Sequence, residues 1–167
     1  VTGSATLLEH NHIQILVDFG YEQGEEPIVD CDPLDSIDFT KLKAVFLTHA
    51  HLDHCGMLPL LYQKGYRGKV FATKATAQLA PYILKDCAKL GAPYSDDDIK
   101  KIQWHSPDMS ADFDWQKTMP LTNDGLSYYF QPTGHIVGAV SIGFMWNKGI
   151  NKQQYELLFS GDLGYNY

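Results

Sequence analysis

Apolar positions along the chain fall into short alternating runs, broken by turn residues, with one long helical stretch in the middle. Residues 2–9 read as a first strand through Ala5, Leu7 and Leu8, and residues 13–19 as a second with Ile13, Ile15 and Val17 on one face. His10-Asn11-His12 between them is turn-forming, so the two make a hairpin with both histidines exposed at its tip. Residues 21–38 are acidic and aperiodic, a surface loop with a helical turn over 33–37. Residues 43–48 form a third strand. A helix over 56–63 follows, turning Met57, Leu58, Leu60 and Leu61 inward, tolerating Pro59 in its first turn and ending near Gly65. A short strand covers 69–72.

Residues 73–90 are the strongest helix. Thr73 or Thr76 caps it, Gly91 stops it, and Leu79, Tyr82, Ile83, Asp86, Cys87 and Leu90 map onto one stripe. Pro81 at its centre predicts a kink or a split. Ser95 caps a further short helix whose first turn holds Asp96, Asp97 and Asp98, read as charge on the positive end of the helix dipole. Residues 104–121 read as a long connection, in which His105 and Asp108 have no partner at a useful spacing. Residues 126–130, 139–146 and 155–159 are three strands of a second sheet.

The 167 residues are enough for one domain with a real core, and 44% apolar content excludes wholesale disorder. No apolar run approaches the roughly 18 residues that cross a membrane, and no signal peptide is evident. The start at Val1 rather than Met points to a processed or trimmed chain. Cys31, Cys55 and Cys87 are odd in number and lack CxxC spacing, which argues against a disulfide framework and for a cytoplasmic setting. Cys55 reads as a small buried residue rather than a ligand. A net charge of −7 argues against a free-standing nucleic-acid binder. It does not exclude a phosphodiesterase, because two divalent ions bring their own positive charge. The basic segment from Lys64 to Lys69 reads as a solvated loop.

One stretch stands apart from this pattern. Thr48-His49-Ala50-His51-Leu52-Asp53-His54 follows the apolar run Ala44-Val45-Phe46-Leu47 and puts three imidazoles and a carboxylate within six positions. A strand ending in such a cluster delivers its side chains to the edge of a sheet. Imidazole nitrogen and carboxylate oxygen are the donors that borderline divalent metals prefer, zinc first among them. His49 and His51 share a face in extended backbone. Asp53 and His54 fall where the chain must turn, so they can address a second ion. Two later places repeat the arrangement: His135 between Gly134 and Gly138, and Asp162 between Gly161 and Gly164 after an apolar strand.

His49-x-His51-x-Asp53-His54 resembles the signature of the metallo-β-lactamase fold, a superfamily of mostly two-metal hydrolases. Gly134-His135 and Ser160-Gly161-Asp162 resemble its third and fourth metal motifs. The resemblance implies an α/β fold, the αββα sandwich, with its C-terminal part incomplete in this chain. It also implies a ligand set: His49, His51 and His135 on a first Zn2+, Asp53 and His54 on a second, and Asp162 bridging both. Asp53 would also act catalytically, orienting the attacking hydroxide. His51, where another branch carries glutamate and prefers iron, leans toward zinc. By spacing alone Asp18 reads equally as a turn residue or as a support for a ligand histidine; the resemblance favours support. The family's last histidine, which follows the bridging aspartate, has no counterpart before Tyr167.

The helix from Lys74 to Leu90, together with Gly134-His135-Ile136-Val137-Gly138-Ala139 and Phe159-Ser160-Gly161-Asp162-Leu163-Gly164, resembles the β-CASP branch, which acts on nucleic acids. In that branch a β-CASP domain is inserted after the bridging aspartate. Residues 1–167 would then be the N-terminal part of a metallo-β-lactamase-like domain. The implied function is zinc-dependent hydrolysis of RNA phosphodiesters by a metal-bound hydroxide, with RNA as the partner of the full-length protein, no membrane, and a homodimer left open. This fragment by itself would have little activity. The alternative is a thioester or lactone hydrolase of the glyoxalase II type. A non-catalytic scaffold of the same fold is the third option, disfavoured because such relatives tend to lose ligands.

Overall fold

A computed structural model describes residues 3–21, 33–107, 115, 117–148 and 153–164. The first sheet contains β1 (Thr6–His10), β2 (Ile13–Val17), β3 (Leu42–Phe46), β4 (Lys69–Phe71) and β5 (Gln103–His105), side by side in that order. β1 and β2 are the antiparallel hairpin, and Asn11 at its turn has φ 54°, a left-handed geometry that asparagine accepts. The β2–β3, β3–β4 and β4–β5 pairs are parallel. Parallel neighbours need crossovers, and helices supply the last two. α1 (Leu52–Cys55) and α2 (Leu58–Gln63) join β3 to β4, and α3 (Lys74–Lys89) and α4 (Asp96–Lys100) join β4 to β5. A 3-10 turn at Pro33–Ser36 lies where the helical turn was expected.

The two-residue period of β2 and β3 divides the core in two. Leu16 and Val45 face the helices and pack with Leu58, Leu61, Ala80, Leu84 and Ile99. Ile15, Val17, Ala44 and Phe46 face the other way, toward Tyr128, Phe130, Ile142 and Phe144 of the second sheet. Phe46 is the centre of that second core. It stacks on Phe71 at 4.8 Å between ring centroids and meets Tyr128 and Phe144 edge-on at 4.9 Å each. The second sheet is an antiparallel meander of β6 (Met119–Pro120), β7 (Ser127–Pro132), β8 (Val140–Lys148) and β9 (Gln153–Phe159). The layers among the described residues are therefore helices, sheet, sheet, with no helical residue in the second core.

Four expectations need correction. α3 runs through Pro81 as one helix, so of the kink or split expected there the split does not occur. Its buried face is Thr76, Ala80, Leu84 and Cys87, whereas Leu79, Tyr82 and Leu90 from the expected stripe are 37%, 70% and 88% exposed. Small residues on the buried line let the helix approach closely, and side-chain apolarity alone pointed about one position away. The expected connection over 104–121 contains part of β5 and all of β6. Both are two or three residues long, too short to show a period. Finally, the turn that carries Asp53 and His54 is itself helical, as α1, and the helix expected from position 56 begins at Leu58. Asp108 lies outside the described residues.

Candidate metal centre

The donors are brought together by the ends of strands. β2 ends at Val17 and presents Asp18, while β3 ends at Phe46 and leads into residues 47–51. The loop between β7 and β8 carries His135, and the chain after β9 carries Asp162. The backbone locks these pieces together. Val140 N donates to Thr48 O at 3.0 Å, and Gly164 N to Thr133 O at 3.1 Å. Ser141 Oγ donates to Ser160 O at 2.8 Å. Gly138, at φ 85°, turns the His135 loop so that its carbonyl accepts from Thr73 Oγ1 at 2.8 Å and Thr76 Oγ1 at 3.0 Å, at the start of α3.

His49, His51, His135 and Asp162 each offer one donor atom, and these atoms lie within 4.8 Å of one another. Nδ1 of His51 is 3.0 Å from Nε2 of His49 and 3.1 Å from Nε2 of His135. Oδ2 of Asp162 is 3.4 Å from Nε2 of His135 and 3.7 Å from Nε2 of His49. A tetrahedral zinc with bonds of about 2.0–2.1 Å has donor–donor edges of about 3.3 Å, close to these four. Protons alone satisfy the cluster poorly. A ring nitrogen carries either one proton or one lone pair, so Nδ1 of His51 cannot make two well-aligned hydrogen bonds at once. A cation among the four atoms satisfies all of them.

The other oxygen of Asp162 faces the remaining pair. Oδ1 is 3.5 Å from Nε2 of His54, and Oδ2 of Asp53 lies 3.9 Å from that same nitrogen. All six residues expected as ligands therefore lie at one end of the sandwich. Four of them bring donor atoms within 4.8 Å of one another, and His54 stands beside these with its ring centroid 4.2 Å from that of His49 and Asp53 next to it.

Behind the donors, the Asp18 carboxylate accepts from Thr48 N at 2.8 Å and from Nδ1 of His54 at 2.8 Å. Asp18 is 2% exposed and held at φ 59°. Burial raises its pKa, against the pull of His54 and Thr48. Burial also opposes protonation of His54, but the Asp18 hydrogen bond and charge, with Asp53 and Asp162, outweigh it and raise that pKa. His49 goes the other way. Burial first, then the neighbouring His54 and His51, bring its pKa down to about 4, so the imidazole is neutral at pH 7 and keeps a lone pair to share. A cavity of about 250 Å³ opens on this end, walled in part by Asp18, Thr48, His54 and Asp162.

The residues read as bystanders stand apart. His12 is exposed at the hairpin turn, whereas His10, expected to be exposed as well, is half-buried, its ring meeting Trp146 edge-on at 5.6 Å. His105 packs on Phe71 at 4.8 Å. Cys55 is fully buried, which pushes its thiol pKa far up and removes it as a ligand. Arg67 is not a free cation in a solvated loop: it donates to the carbonyls of Tyr62 and Tyr66 at 2.9 and 2.7 Å. The sequence reading missed Thr48, whose hydroxyl lies between Asp18 and His49. Its only signal was its place directly before the first histidine.

Three comparisons bear on this arrangement. The family model of the metallo-beta-lactamase superfamily matches residues 1–117. Ribonuclease TTHA0252 of Thermus thermophilus is 37% identical over 98% of this chain and 36% of its own length. Transcription termination factor FttA of a Lokiarchaeum species is 31% identical over 97% of this chain and 25% of its own length. Cleavage and polyadenylation specificity factor 73 of Drosophila melanogaster is 26% identical over 95% of this chain and 22% of its own. The chain thus spans about a third or less of these relatives. Among solved structures, a B3 metallo-beta-lactamase with an active-site glutamic acid superposes with a TM-score of 0.58 at 16% identity, covering 95% of this chain and 56% of that one. That likeness speaks for the fold alone.

Proposed function

The chain belongs to the metallo-β-lactamase superfamily, and we propose that it is the metal-binding portion of a zinc-dependent ribonuclease of the β-CASP kind, hydrolysing RNA phosphodiesters. Residues 1–167 on this reading are the N-terminal part of a metallo-β-lactamase-like domain, in a protein whose further domain would help hold the RNA. Relatives named as a ribonuclease, a transcription termination factor and a cleavage and polyadenylation factor support RNA as the substrate class.

His49, His51 and His135 would hold one zinc ion, Asp53 and His54 a second, and Asp162 one oxygen toward each. The observation that carries this reading is the split of Asp162, with Oδ2 near His49 and His135 and Oδ1 near His54. Zinc bound there would supply Lewis acidity and lower the pKa of water toward about 7. The chain's own groups do the rest. Nδ1 of His54 is held by Asp18, and Nδ1 of His49 lies 3.0 Å from the Thr48 hydroxyl, so each ring can direct Nε2 inward. Asp53 is partly exposed beside His54. Its carboxylate takes the proton from the attacking water as the water oxygen bonds to phosphorus and the bond to the 3′-oxygen breaks. That proton is returned, directly or through solvent, to the departing 3′-oxygen, which leaves as the hydroxyl.

The test is elemental analysis of the purified full-length protein, followed by incubation with a single-stranded RNA oligonucleotide and with a thioester. Zinc content above one ion per chain and RNA cleavage abolished by a chelator are expected. Thioester hydrolysis without RNA cleavage would move the chain to the small-molecule hydrolases, and absence of zinc uptake would remove the metal reading.

A further inference from the structure

Thr48 touches each stretch that contributes to the centre. Its carbonyl accepts from Val140 N, beyond His135. A Cβ added to Gly161, next to Asp162, would lie 2.9 Å from Thr48 Cβ, so that stretch packs directly on the Thr48 side chain. Its amide donates to Oδ1 of Asp18 at 2.8 Å. Its hydroxyl lies 2.9 Å from Oδ2 of Asp18, 3.1 Å from Oδ1, 3.0 Å from Nδ1 of His49 and 3.4 Å from Nδ1 of His54. The residue is 1% exposed, so these partners are not shared with solvent.

A hydroxyl has one proton to give, and an ionised carboxylate only accepts. The Thr48 proton therefore goes to Asp18. A hydroxyl lone pair then faces His49, so Nδ1 of His49 is the nitrogen that carries hydrogen. Nε2 of His49 is left with its lone pair, at 3.0 Å from Nδ1 of His51 inside the donor cluster. The same Asp18 oxygen accepts from Nδ1 of His54 at 2.8 Å. One carboxylate thus holds both rings, His54 directly and His49 through the hydroxyl. The two rings lie 4.2 Å apart between centroids and address different oxygens of Asp162, His49 near Oδ2 and His54 near Oδ1.

We propose that the Thr48 hydroxyl is a positioning group that sets the His49 tautomer and couples the two halves of the centre, so that disturbing one half weakens the other. The coupling clause rests on the zinc reading above; the tautomer clause does not. The competing account is that Thr48 is filler beneath Gly161. A valine would fill that space equally well.

Thr48→Val keeps the volume and the backbone bonds, and Thr48→Ser keeps the hydroxyl. The first measurement is nitrogen NMR of histidine-labelled, metal-free protein near neutral pH. Wild type and Thr48→Ser should show His49 protonated at Nδ1. Thr48→Val should populate the Nε2-protonated form of His49 while His54 stays as it was. An unchanged His49 in Thr48→Val overturns the proposal. The second measurement is zinc affinity by chelator competition, with and without His54→Ala. With threonine or serine at 48, His54→Ala should weaken the remaining site about tenfold, the low end of what loss of an orienting partner costs. With valine it should change that affinity by less than about twofold. Equal losses in both backgrounds overturn the coupling. A protein that takes up no zinc in any background defeats the metal reading and the coupling with it, while the NMR result still decides the tautomer.

Discussion

Nε2 of His135 stands 3.1 Å from Nδ1 of His51, although 84 positions separate them in the chain. The contact joins the loop between β7 and β8 to the segment after β3, and so ties the second sheet to the first. Two imidazoles brought nitrogen to nitrogen beside a carboxylate gain little from one another. Their convergence is explained by something positive between them.

On that account, His135→Ala and His54→Ala each remove one ion and leave the other weakened. Zinc per chain in the full-length protein should fall from about two to about one in either variant. Asp162→Ala, which takes a donor from both sides, should fall below one. The zinc-loaded wild type should also melt higher than the chelated protein, since a ligand at about 100 times its Kd adds about 2.7 kcal/mol. Asp162→Ala should lose most of that difference. Elemental analysis and paired thermal melts read both outcomes, and a His135→Ala protein that retains its full zinc content would contradict the assignment of the first ion.

The loop carrying His135 depends on a backbone shape that only glycine adopts easily. Gly138 sits at φ 85°, and a Cβ there would come within 2.7 Å of Thr73 Oγ1 and 2.8 Å of Thr76 N. Gly138→Ala should destabilise the protein by about 1–2 kcal/mol from the left-handed geometry alone, with more from the clash. Because the same carbonyl anchors the loop on α3, zinc affinity should fall along with stability. A control at Gly91, also at positive φ but with open space around it, should lose stability without losing zinc.

Legibility followed local concentration. The His49-to-His54 motif could be read because its donors fall within six positions and follow an apolar strand. His135 and Asp162 could be read from the glycines around them, since sharp turns at strand ends leave that trace. What the residues could not show was which side of a helix faces in. Leu79, Tyr82 and Leu90 looked like part of a core stripe, yet of that stripe α3 fully buries Cys87 alone, alongside Thr76, Ala80 and Leu84. Its neighbours include α1, α4 and the Gly138 loop, the last of which comes close enough for the Gly138 carbonyl to bond Thr76. β5 and β6 were missed because two or three residues carry no period, and their pairing is decided by β4 and β7. The role of Thr48 depends on Asp18, thirty positions away.

The reassigned face of α3 is directly testable. Leu84 is fully buried and Leu90 is 88% exposed. Leu84→Ala should cost about 2–5 kcal/mol, as buried leucine truncations do. Leu90→Ser and Tyr82→Ser should stay within about 0.5 kcal/mol of wild type, as surface changes do. Urea denaturation separates the two cases. Equal losses at positions 84 and 90 would restore the stripe expected from the sequence.

The last prediction concerns α4, where the expected Ser95 cap is a full capping box. Ser95 Oγ accepts from Asp98 N at 3.3 Å, and the Asp98 carboxylate accepts back from Ser95 N at 3.0 Å. Asp98 also takes hydrogen bonds from Lys101 and Gln63 at 2.8 Å each. Lys101 first, then Gln63 and Ser95, hold its pKa well below its ordinary value of 3.8. A carboxylate whose pKa is lower in the folded chain than in the unfolded one binds fewer protons when folded. Its contribution is therefore complete above about pH 4 and is lost as pH falls below that, toward the depressed folded value. Ser95→Ala should cost about 1 kcal/mol at neutral pH. Asp98→Asn should also destabilise at neutral pH, and the gap between Asp98→Asn and wild type should narrow as pH drops from 5 to 2, because protonation then makes the wild-type side chain neutral too. Urea midpoints across that range measure the gap. A gap that stays constant down to pH 2 would mean that the Asp98 charge contributes nothing, and that the box acts through its hydrogen-bond geometry alone.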